Sequence, residues 1–383
     1  MRKSGSLAAR QFEHILLIKP SAFGDVLHAL PVLVKLRKRY ANARIDWLIT
    51  PENADLIRHH PALSNVVLFA RRDYGRWNRI LAAGAGLLKL VNALQSAQYD
   101  LVIDLHGQLR SAFFSLASGA PVRIGFDRPM RPSTVNGGSL AIPRHGWRGS
   151  RECSWMAYSH RIPIPTLDIH AVDRYLWLSP MLGLDDEPPD LRLYWQRQAE
   201  EHAEALLLRH RLHTFGILVP GTIWRTKHWH ESGFAAVGRY LLKQGLGVIL
   251  AGTMRERRRC QAVAAACPGA IDLSGQTTLS QLAALMNRST INVTNDSGSM
   301  HLAVALGRPV VSVFGPTNPI WVGPYHRPEA VVRADLPCSP CYFRRLSQCP
   351  HDHACMNQLS AEEVIDRVKI VLAEAERVKG LAS

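Results

Sequence analysis

The chain has 383 residues, of which 47% are hydrophobic and 20% charged, a composition typical of globular proteins and not of disordered chains. This length exceeds what one hydrophobic core usually serves and fits two domains of roughly 150 to 200 residues. Its net charge of +15 favours anionic partners, although the cations are too dispersed to form the basic tail of a nucleic-acid-binding protein.

The sequence indicates neither a membrane span nor a secretory signal. No apolar run reaches the roughly 18 residues that a bilayer-spanning helix needs, and residues 1–13 contain no apolar stretch of the signal-peptide kind. We therefore expect a cytoplasmic protein whose seven cysteines are reduced.

The first half of the chain alternates short apolar runs with amphipathic stretches. The apolar runs, predicted to be strands, are 14–20, 44–50, 65–70, 99–107 and 122–126. The amphipathic stretches 26–40 and 77–97 are predicted to be helices. Such alternation is typical of an α/β fold with a parallel sheet.

The pattern restarts after residues 179–191, a segment rich in proline and acidic residues that is typical of an exposed linker. The predicted strands of the second half are 214–220, 247–252, 270–273, 290–293 and 309–314, and its predicted helices are 231–244, 255–266, 279–287 and 299–306. A last helix is predicted over 360–378. We expect an N-terminal domain at 1–185, a second domain at 186–359 and a terminal helical segment at 360–383.

Ligands of parallel sheets bind beyond the carboxyl ends of the strands, so the loops there are the first candidates for chemistry. The first predicted strand is followed by Gly24 and Asp25 at the start of a helix. A carboxylate at this place fits a catalytic role, and it fits a plain helix N-cap as well. The loop lacks the Gly-x-Gly-x-x-Gly pattern of dinucleotide-binding proteins.

The loop 219–229 has the composition of a pyrophosphate site. Gly221 and Thr222 follow an apolar strand, and Lys227 precedes the next helix. Backbone amides, a hydroxyl and a cation at one strand end form a cradle for phosphate groups. A loop with ordinary surface cations is the alternative that these residues leave open.

Two further strand ends of the second half carry polar residues. Asp296 follows one strand, and Ser297 and Gly298 lead into the helix that carries His301. Small residues at a helix start suit a phosphate or a sugar hydroxyl. Glu256 follows another strand, where an acid can accept a ribose hydroxyl. Each signal is weak alone, and together they predict a nucleotide-diphosphate site.

Several motifs occur in a fixed order along the chain. They are Ser-Ala-Phe-Gly-Asp-Val-Leu-His-Ala-Leu-Pro (21–31), Lys-His-Trp (227–229), Asn-Asp-Ser-Gly-Ser-Met-His-Leu (295–302) and Phe-Gly-Pro-Thr-Asn-Pro (314–319). With these motifs the sequence resembles glycosyltransferase family 9, the ADP-heptose:lipopolysaccharide heptosyltransferases, along nearly its whole length. The first motif and His-Ala-Val-Asp-Arg-Tyr (170–175) are closest to the heptosyltransferase I type.

The resemblance implies a GT-B fold, in which two Rossmann-like domains face a central cleft and a C-terminal helix crosses back to the first domain. It implies an inverting transfer of heptose from ADP-L-glycero-D-manno-heptose to the Kdo inner core of a lipid A precursor, with no cofactor required for the chemistry. The acceptor position stays open. Heptosyltransferase II, another family 9 transferase and a GT-B nucleotide-sugar epimerase are the alternatives.

Matched residue by residue, the resemblance makes Asp25 the general base, which takes the proton of the acceptor hydroxyl. It assigns acceptor binding to Ser21, Gly24 and His28. It assigns donor binding to Gly221, Thr222, Lys227, Glu256, Asp296, Ser297, Gly298 and His301. The leaving ADP gains negative charge, which a lysine stabilises in the transition state.

The acceptor that the resemblance implies is acidic and lipid-linked, so the positive net charge of the protein would attract it. The resemblance therefore also implies peripheral contact with the anionic cytoplasmic face of the inner membrane. The cations that we expect to face this acceptor are Arg58 to His60, Arg71, Arg72, Arg123, Arg128 and Arg131. Solvated surface charge is the alternative for each of them. No nucleic-acid-binding motif is present, and no nucleic-acid partner is expected.

Four cysteines crowd into residues 336–355, a segment that resembles the cysteine-rich part of heptosyltransferase II. Cys338, Cys341, Cys349 and Cys355 have a spacing that suits a structural zinc or iron site, with His351 and His353 as alternative ligands. A loop with free thiols is the other interpretation.

Overall fold

The computed structural model describes residues 6–70, 80–130 and 146–382. They form two compact units, and the division between the units falls after Trp195. In this described part of the chain, no helix combines the length and the apolar character that a bilayer crossing requires.

The first unit contains six strands and six helices within the described residues. Its strands are β1 (His14–Ile18), β2 (Arg44–Ile49), β3 (Asn65–Leu68), β4 (Leu101–Asp104), β5 (Val122–Phe126) and β6 (His160–Ile162). Its helices are α1 (Phe23–Arg39), α2 (Pro51–Ile57), α3 (Ile80–Ser96), α4 (Leu109–Ala117), α5 (Ala171–Leu176) and α6 (Ser179–Leu182).

The second unit repeats this plan. Its strands are β7 (Phe215–Val219), β8 (Gly247–Leu250), β9 (Ala270–Asp272), β10 (Ile291–Asn295), β11 (Val310–Phe314) and β12 (Val331–Arg333). Its helices are α7 (Arg197–Arg209), α8 (Glu231–Lys243), α9 (Arg257–Ala266), α10 (Leu279–Arg288), α11 (Gly298–Ala305), α12 (Pro319–Val322), α13 (Ala354–Asn357) and α14 (Ala361–Ala382).

Both sheets are parallel throughout and have the same strand order. The first reads β3-β2-β1-β4-β5-β6 and the second β9-β8-β7-β10-β11-β12. This is the Rossmann order, in which the chain reverses direction across the sheet between the first and fourth strands of the unit. The predicted α/β fold with two Rossmann-like units is confirmed. In each unit the reversal creates a crevice at the carboxyl ends of two adjacent strands.

The apolar runs form strands because helices cover the sheet and remove these residues from water. In the first unit, Leu16 and Ile18 of β1 share a fully buried core with Leu90 and Leu94 of α3 and with Phe114 of α4. Each such side chain contributes roughly 1.5–3 kcal/mol by burial. Every predicted strand is present, whereas β6 and β12, three residues each, are too short to show a pattern in the sequence.

The segment 186–195, predicted to open the second domain, belongs to the first unit. Contacts with α1 explain this: Lys35 Nζ donates to the Glu187 carbonyl at 2.7 Å, and Lys38 pairs with the Glu187 carboxylate. At the other end of the chain, α14 packs against α8, β11 and β12 of the second unit. The predicted crossing of this helix to the first domain stays a prediction.

Gly125 of β5 provides a test of this packing. A Cβ at this position would lie 2.4 Å from two atoms of the Tyr158 ring. We expect Gly125→Ala to destabilise the unit by about 1–3 kcal/mol through overpacking, which lowers the thermal unfolding midpoint by about 2–4 °C per kcal/mol. Gly84→Ala in α3 is the matched control, since its Cβ would meet no atom within 4 Å. Equal unfolding midpoints for the two variants would contradict the packing described.

Candidate active site

The first candidate centre lies at the end of β1, where residues 19–22 lead into α1. Asp25 is in the first turn of α1, and its Oδ2 accepts a hydrogen bond of 3.3 Å from the backbone N–H of Ala22. Lys19 Nζ lies 3.4 Å from the same oxygen. The lysine side chain is 5% exposed and the aspartate side chain 40% exposed. The pair therefore joins a buried cation to a carboxylate that is open to solvent.

Lys19 and Asp25 stabilise each other's charged forms. Desolvation alone would raise the pKa of Asp25, but the charge of Lys19, the Ala22 N–H and the charge of His106 outweigh it and lower that pKa. Desolvation alone would lower the pKa of Lys19, but Asp25 and Tyr175 outweigh it and raise that pKa. The Tyr175 ring centre lies 5.2 Å from Lys19 Nζ. At neutral pH, Asp25 is thus an ionised carboxylate next to an ammonium group.

The neighbouring strand β4 ends in a second carboxylate, whose role is structural. Asp104 Oδ1 accepts hydrogen bonds from the N–H groups of His106 and Gly107, at 2.8 and 3.1 Å, and Oδ2 accepts one from the Tyr158 hydroxyl at 2.8 Å. Burial raises the pKa of Asp104, and these hydrogen bonds act against that rise. The hydrogen bonds of Asp104 fix the loop that carries His106. His106 then lies close enough to Asp25 for its charge to lower the pKa of the Asp25 carboxylate.

Of the three residues predicted to bind the acceptor, Ser21 is partly exposed. It borders a small cleft that extends to Arg110 of α4. Gly24 is buried in α1, and His28 is buried with its ring edge-on to His170, 5.1 Å between ring centres. The role of Gly24 and His28 in acceptor binding stays a prediction.

The cations expected to face the acceptor differ in their surroundings. Arg58 and Arg128 are exposed. Arg123 instead donates to two main-chain carbonyls at 2.5 and 2.8 Å, and His60 is buried, which lowers its pKa to about 4 and leaves it neutral. Arg123 and His60 thus have structural roles, contrary to the prediction. Arg71, Arg72 and Arg131 lie outside the described residues.

The second candidate centre lies at the ends of β7 and β10, where the second strand order reverses. Asp296 follows β10, and its Oδ2 lies 2.5 Å from Lys227 Nζ and accepts a hydrogen bond from the Thr317 hydroxyl. The Thr222 hydroxyl donates to the main-chain carbonyl of Asp296 at 3.3 Å. Asp296 is 4% exposed and Lys227 14% exposed at the side chain. The structure thus brings three of the predicted donor-binding residues together, with Lys227 oriented by Asp296.

Gly221 and Glu256 fit against each other at the end of β7. Glu256 Oε2 accepts hydrogen bonds from the N–H and the hydroxyl of Thr253 at 2.7 and 2.8 Å. A Cβ at position 221 would lie 2.4 Å from Glu256 Cδ and 2.6 Å from Oε1. Only a glycine leaves room for the Glu256 carboxyl group at this strand end.

The start of α11 lies directly after Asp296. Ser297 is the N-cap residue, and Gly298 is the first residue of the helix. The amides and the positive dipole end of a helix N-terminus attract anions. His301 is buried in the second unit, and its role in donor binding stays a prediction.

The cysteine-rich segment 336–355 packs against the loop that carries Lys227. The Thr226 hydroxyl donates to the Phe343 carbonyl at 2.6 Å. On the other side, His353 Nε2 lies at hydrogen-bond distance, 2.7 Å, from the Thr226 carbonyl. The segment thus fixes the residue directly before Lys227 through two hydrogen bonds.

The four cysteines of this segment are neighbours with free thiols. Burial, followed by the charges of Cys341, Cys338 and Cys349, raises the pKa of Cys355 to about 11. Nevertheless, within residues 6–70, 80–130 and 146–382, no three His, Cys, Asp or Glu side chains are arranged to hold a metal ion. A preformed metal centre is therefore not seen at these cysteines.

The structure reveals participants that the sequence analysis missed. Lys19 supports Asp25, Tyr175 contacts Lys19, and Trp224 has both Lys227 Nζ and Arg344 Cζ 4.6 Å from its ring centre. A charged residue directly after the apolar run of β1 was the available signal for Lys19. No local signal connects Tyr175 or Arg344 with their partners, since both are distant in sequence.

Known proteins are similar to this chain over nearly its whole length. Lipopolysaccharide heptosyltransferase 1 of Pseudomonas aeruginosa is 27% identical over 95% of this chain and 99% of its own. A solved glycosyltransferase family 9 structure from Veillonella parvula has a TM-score of 0.76 at 22% identity, covering 96% of this chain and 100% of its own. The E. coli heptosyltransferase WaaC with ADP has a TM-score of 0.71 at 24% identity, covering 94% and 99%.

These two structures share the fold of this chain, which confirms the predicted GT-B fold class with its two Rossmann-like units. The sequence profile of glycosyltransferase family 9 (heptosyltransferase) matches residues 87–142 and 134–351. The matched residues make up more than half of the chain and contain the Lys227, Glu256 and Asp296 loops. The chain belongs to glycosyltransferase family 9 and is a glycosyltransferase.

Proposed function

We propose that this enzyme transfers heptose, with inversion, from ADP-L-glycero-D-manno-heptose to the Kdo inner core of a lipid A precursor. The observation that carries the proposal is the ionised, solvent-open carboxylate of Asp25 at the crevice of the first unit. The Lys227–Asp296 pair and Glu256 at the crevice of the second unit supply contacts for a sugar nucleotide. The name of the relative, lipopolysaccharide heptosyltransferase 1, supports heptose as the transferred sugar and lipopolysaccharide as the product.

The second unit binds the donor in this proposal. Glu256, fixed by Thr253, accepts a ribose hydroxyl. Lys227 and the first amides of α11 face the pyrophosphate, on which negative charge develops as the sugar leaves. Their stabilisation of that charge is greater in the transition state than in the ground state, which accelerates the reaction. Asp296 keeps the Lys227 ammonium in place.

The first unit supplies the base. Asp25 takes the proton of the acceptor hydroxyl as its oxygen forms a bond to the anomeric carbon of heptose. The bond from that carbon to ADP breaks, and its electron pair leaves with ADP, so one displacement from the opposite side inverts the centre. The charge of Lys19 keeps Asp25 ionised. The carboxylate can therefore accept the proton when the acceptor hydroxyl becomes more acidic in the transition state. No cofactor takes part in this displacement.

We place the reaction at the cytoplasmic face of the inner membrane, where a lipid-linked acceptor is accessible to a cytoplasmic enzyme. The net charge of +15 and the exposed Arg58 and Arg128 favour an anionic surface. The first heptose on Kdo is the preferred product. A second or later core heptose is the alternative, and a panel of heptosylated acceptors distinguishes them.

We also propose a structural zinc or iron ion at Cys338, Cys341, Cys349 and Cys355. Four thiols in one segment, two of them with a Cys-x2-Cys spacing, suit tetrahedral thiolate coordination. Such an ion would stiffen the segment 336–355, which is hydrogen-bonded to Thr226. The ion would thereby help to fix the conformation of the loop that carries Lys227.

The reaction and its base are tested in one assay, in which purified protein is incubated with ADP-heptose and Kdo-lipid A. We expect ADP release together with an acceptor mass gain of one heptose. Asp25→Asn should lower kcat about 10²–10⁴-fold, the usual effect of losing a general base, with an unchanged Kd for ADP. Asp168→Asn, an exposed carboxylate of the same unit, is the matched control and should retain activity.

The outcomes of this assay separate the alternatives. Absence of any mass gain with this acceptor and with heptosylated acceptors would refute heptose transfer. Conversion of the sugar nucleotide without acceptor would instead favour an epimerase. Near-normal turnover by Asp25→Asn would refute the assignment of the base alone.

Gly221→Ala tests the placement of Glu256. The added methyl group displaces the Glu256 carboxyl group from the strand end, so we expect the Kd for ADP to rise about tenfold, equivalent to about 1.4 kcal/mol. Calorimetric titration with ADP measures this change, and Gly84→Ala is the control. Glu256→Gln should weaken ADP binding to a similar degree, and unaltered affinity in both variants would exclude the ribose contact.

Metal analysis tests the cysteine site. Protein purified without chelators should contain about one equivalent of zinc or iron, and Cys349→Ser should lose it. Cys153→Ser, which changes an exposed cysteine outside the segment, should retain the metal. Wild-type protein with less than about a tenth of an equivalent would rule the site out.

A further inference from the structure

Helix α4 buries its serines and exposes three large apolar side chains, the reverse of what an ordinary surface helix does with these residue types. Ser111, Ser115 and Ser118 at its inner side are buried. Leu109, Phe113 and Leu116 are 59%, 45% and 53% exposed. Both sets follow the i, i+4, i+7 spacing of one helix face. A soluble surface helix places its large apolar residues inside and its serines outside.

The reversed orientation is fixed by packing on the inner side. Phe114 belongs to the buried core of the first unit and packs edge-on to Phe69, 4.9 Å between ring centres. Ala112 packs against Ala157 and Tyr158. The helix therefore cannot rotate to bury its three apolar side chains without removing Phe114 from the core.

Elements that pack beside α4 carry further exposed apolar side chains. The 3-10 turn Ser154–Ala157 and helix α3 both pack beside α4. They carry Met156, 75% exposed, and Leu88, 65% exposed. We call Leu88, Leu109, Phe113, Leu116 and Met156 the α4 face. Several exposed large apolar side chains on elements that pack together are a candidate site of interaction.

Charges within and around the α4 face are predominantly positive. Arg110 is exposed on α4 itself, Lys89 is exposed on α3, and Arg151 is exposed at the turn that carries Met156. Neither α3 nor α4 contains an acidic residue. The adjacent Glu152 carboxylate accepts the N–H of Leu109 at 3.1 Å. Apolar side chains among cations are the pattern of a surface that binds anionic lipid interfaces.

The α4 face also adjoins the crevice of the first unit. Arg110 and Ser111 of α4 line the same small cleft as Pro20 and Ser21, which precede Asp25 in the β1–α1 loop. An acceptor whose acyl chains lie in a bilayer and whose sugars project from it must reach Asp25 from the membrane surface. A bilayer in contact with the start of α4 lies beside that cleft.

From these observations we propose that the α4 face inserts into the interfacial region of an anionic phospholipid bilayer and presents the β1–α1 loop to lipid-linked acceptors. The proposal deepens the transferase function proposed above and depends on it for the nature of the acceptor. A second copy of the chain is a poorer occupant, because self-association through this face would bring Arg110 and Lys89 of one copy close to those of the other.

Vesicle flotation tests the docking surface. Wild-type protein should bind vesicles of phosphatidylethanolamine with one quarter phosphatidylglycerol and bind pure phosphatidylcholine vesicles weakly. The double variant Phe113→Ser/Leu116→Ser should lower the partition coefficient on the anionic vesicles about tenfold or more, as expected for removing two half-exposed apolar side chains. The matched control is Leu208→Ser/Ile370→Ser, which changes exposed apolar residues of helices in the second unit and should partition like the wild type.

A second measurement separates docking from catalysis. With a deacylated, water-soluble Kdo acceptor, the Phe113→Ser/Leu116→Ser variant should keep wild-type kcat/KM, whereas its KM for acylated acceptor in vesicles should rise. Its thermal unfolding midpoint should match the wild type, because the changed side chains are exposed.

Equal vesicle partition of the variant and the wild type would overturn the proposal. So would a wild-type dimer in sedimentation equilibrium that the variant abolishes, since this result assigns the α4 face to a second copy. Failure of the wild type to use the soluble acceptor, with vesicle binding intact, would refute the proposed transfer reaction and leave the docking surface in place.

Discussion

Two pairs of hydrogen-bonded parallel strands determine where the reactive groups of this molecule lie. In the first unit β1 pairs with β4 in a register that sets Ile18 opposite Asp104. The following residues are therefore neighbours too, and Lys19 Nζ donates to the Leu105 carbonyl at 3.4 Å. In the second unit the β7–β10 pair sets Val219 opposite Thr294. Because the connections leave each pair in opposite directions, these strand ends stay open to ligands while helices cover the sheet faces.

Each crevice holds a lysine–aspartate pair. In one pair the aspartate is the more exposed partner, and in the other pair the lysine is. In the first, Lys19 is buried and Asp25 is open to solvent; in the second, Asp296 is buried and Lys227 is the more exposed partner. A buried charge is tolerated when its counter-charge is adjacent, and it fixes that partner in position. The first crevice thereby presents a negative group suited to accept a proton. The second presents a positive group suited to phosphate.

Local sequence patterns were sufficient for most of the fold. Apolar runs predicted the principal strands because residues buried on both sides must be apolar, and the motifs predicted the residues at the strand ends. The partners of those residues were not predictable. Nothing near Lys19 in the sequence indicates Tyr175, nothing near Asp296 indicates Thr317, and nothing near Thr226 indicates Phe343, since these contacts depend on tertiary packing. The exposed apolar side chains of α4 were not predicted either, since no helix was predicted over Leu109–Ala117.

The hydrogen bonds of Thr226 can form only late in the synthesis of the chain. They join residues 117 and 127 positions apart, to Phe343 and His353. A chain that emerges from the ribosome N-terminus first forms contacts only among residues already synthesised. The Lys19–Asp25 pair and its Tyr175 contact are available once the first unit is synthesised. The donor loop reaches its final set of contacts only near the end of translation, so proteins truncated in the cysteine-rich segment would retain the base and lack a fixed donor loop.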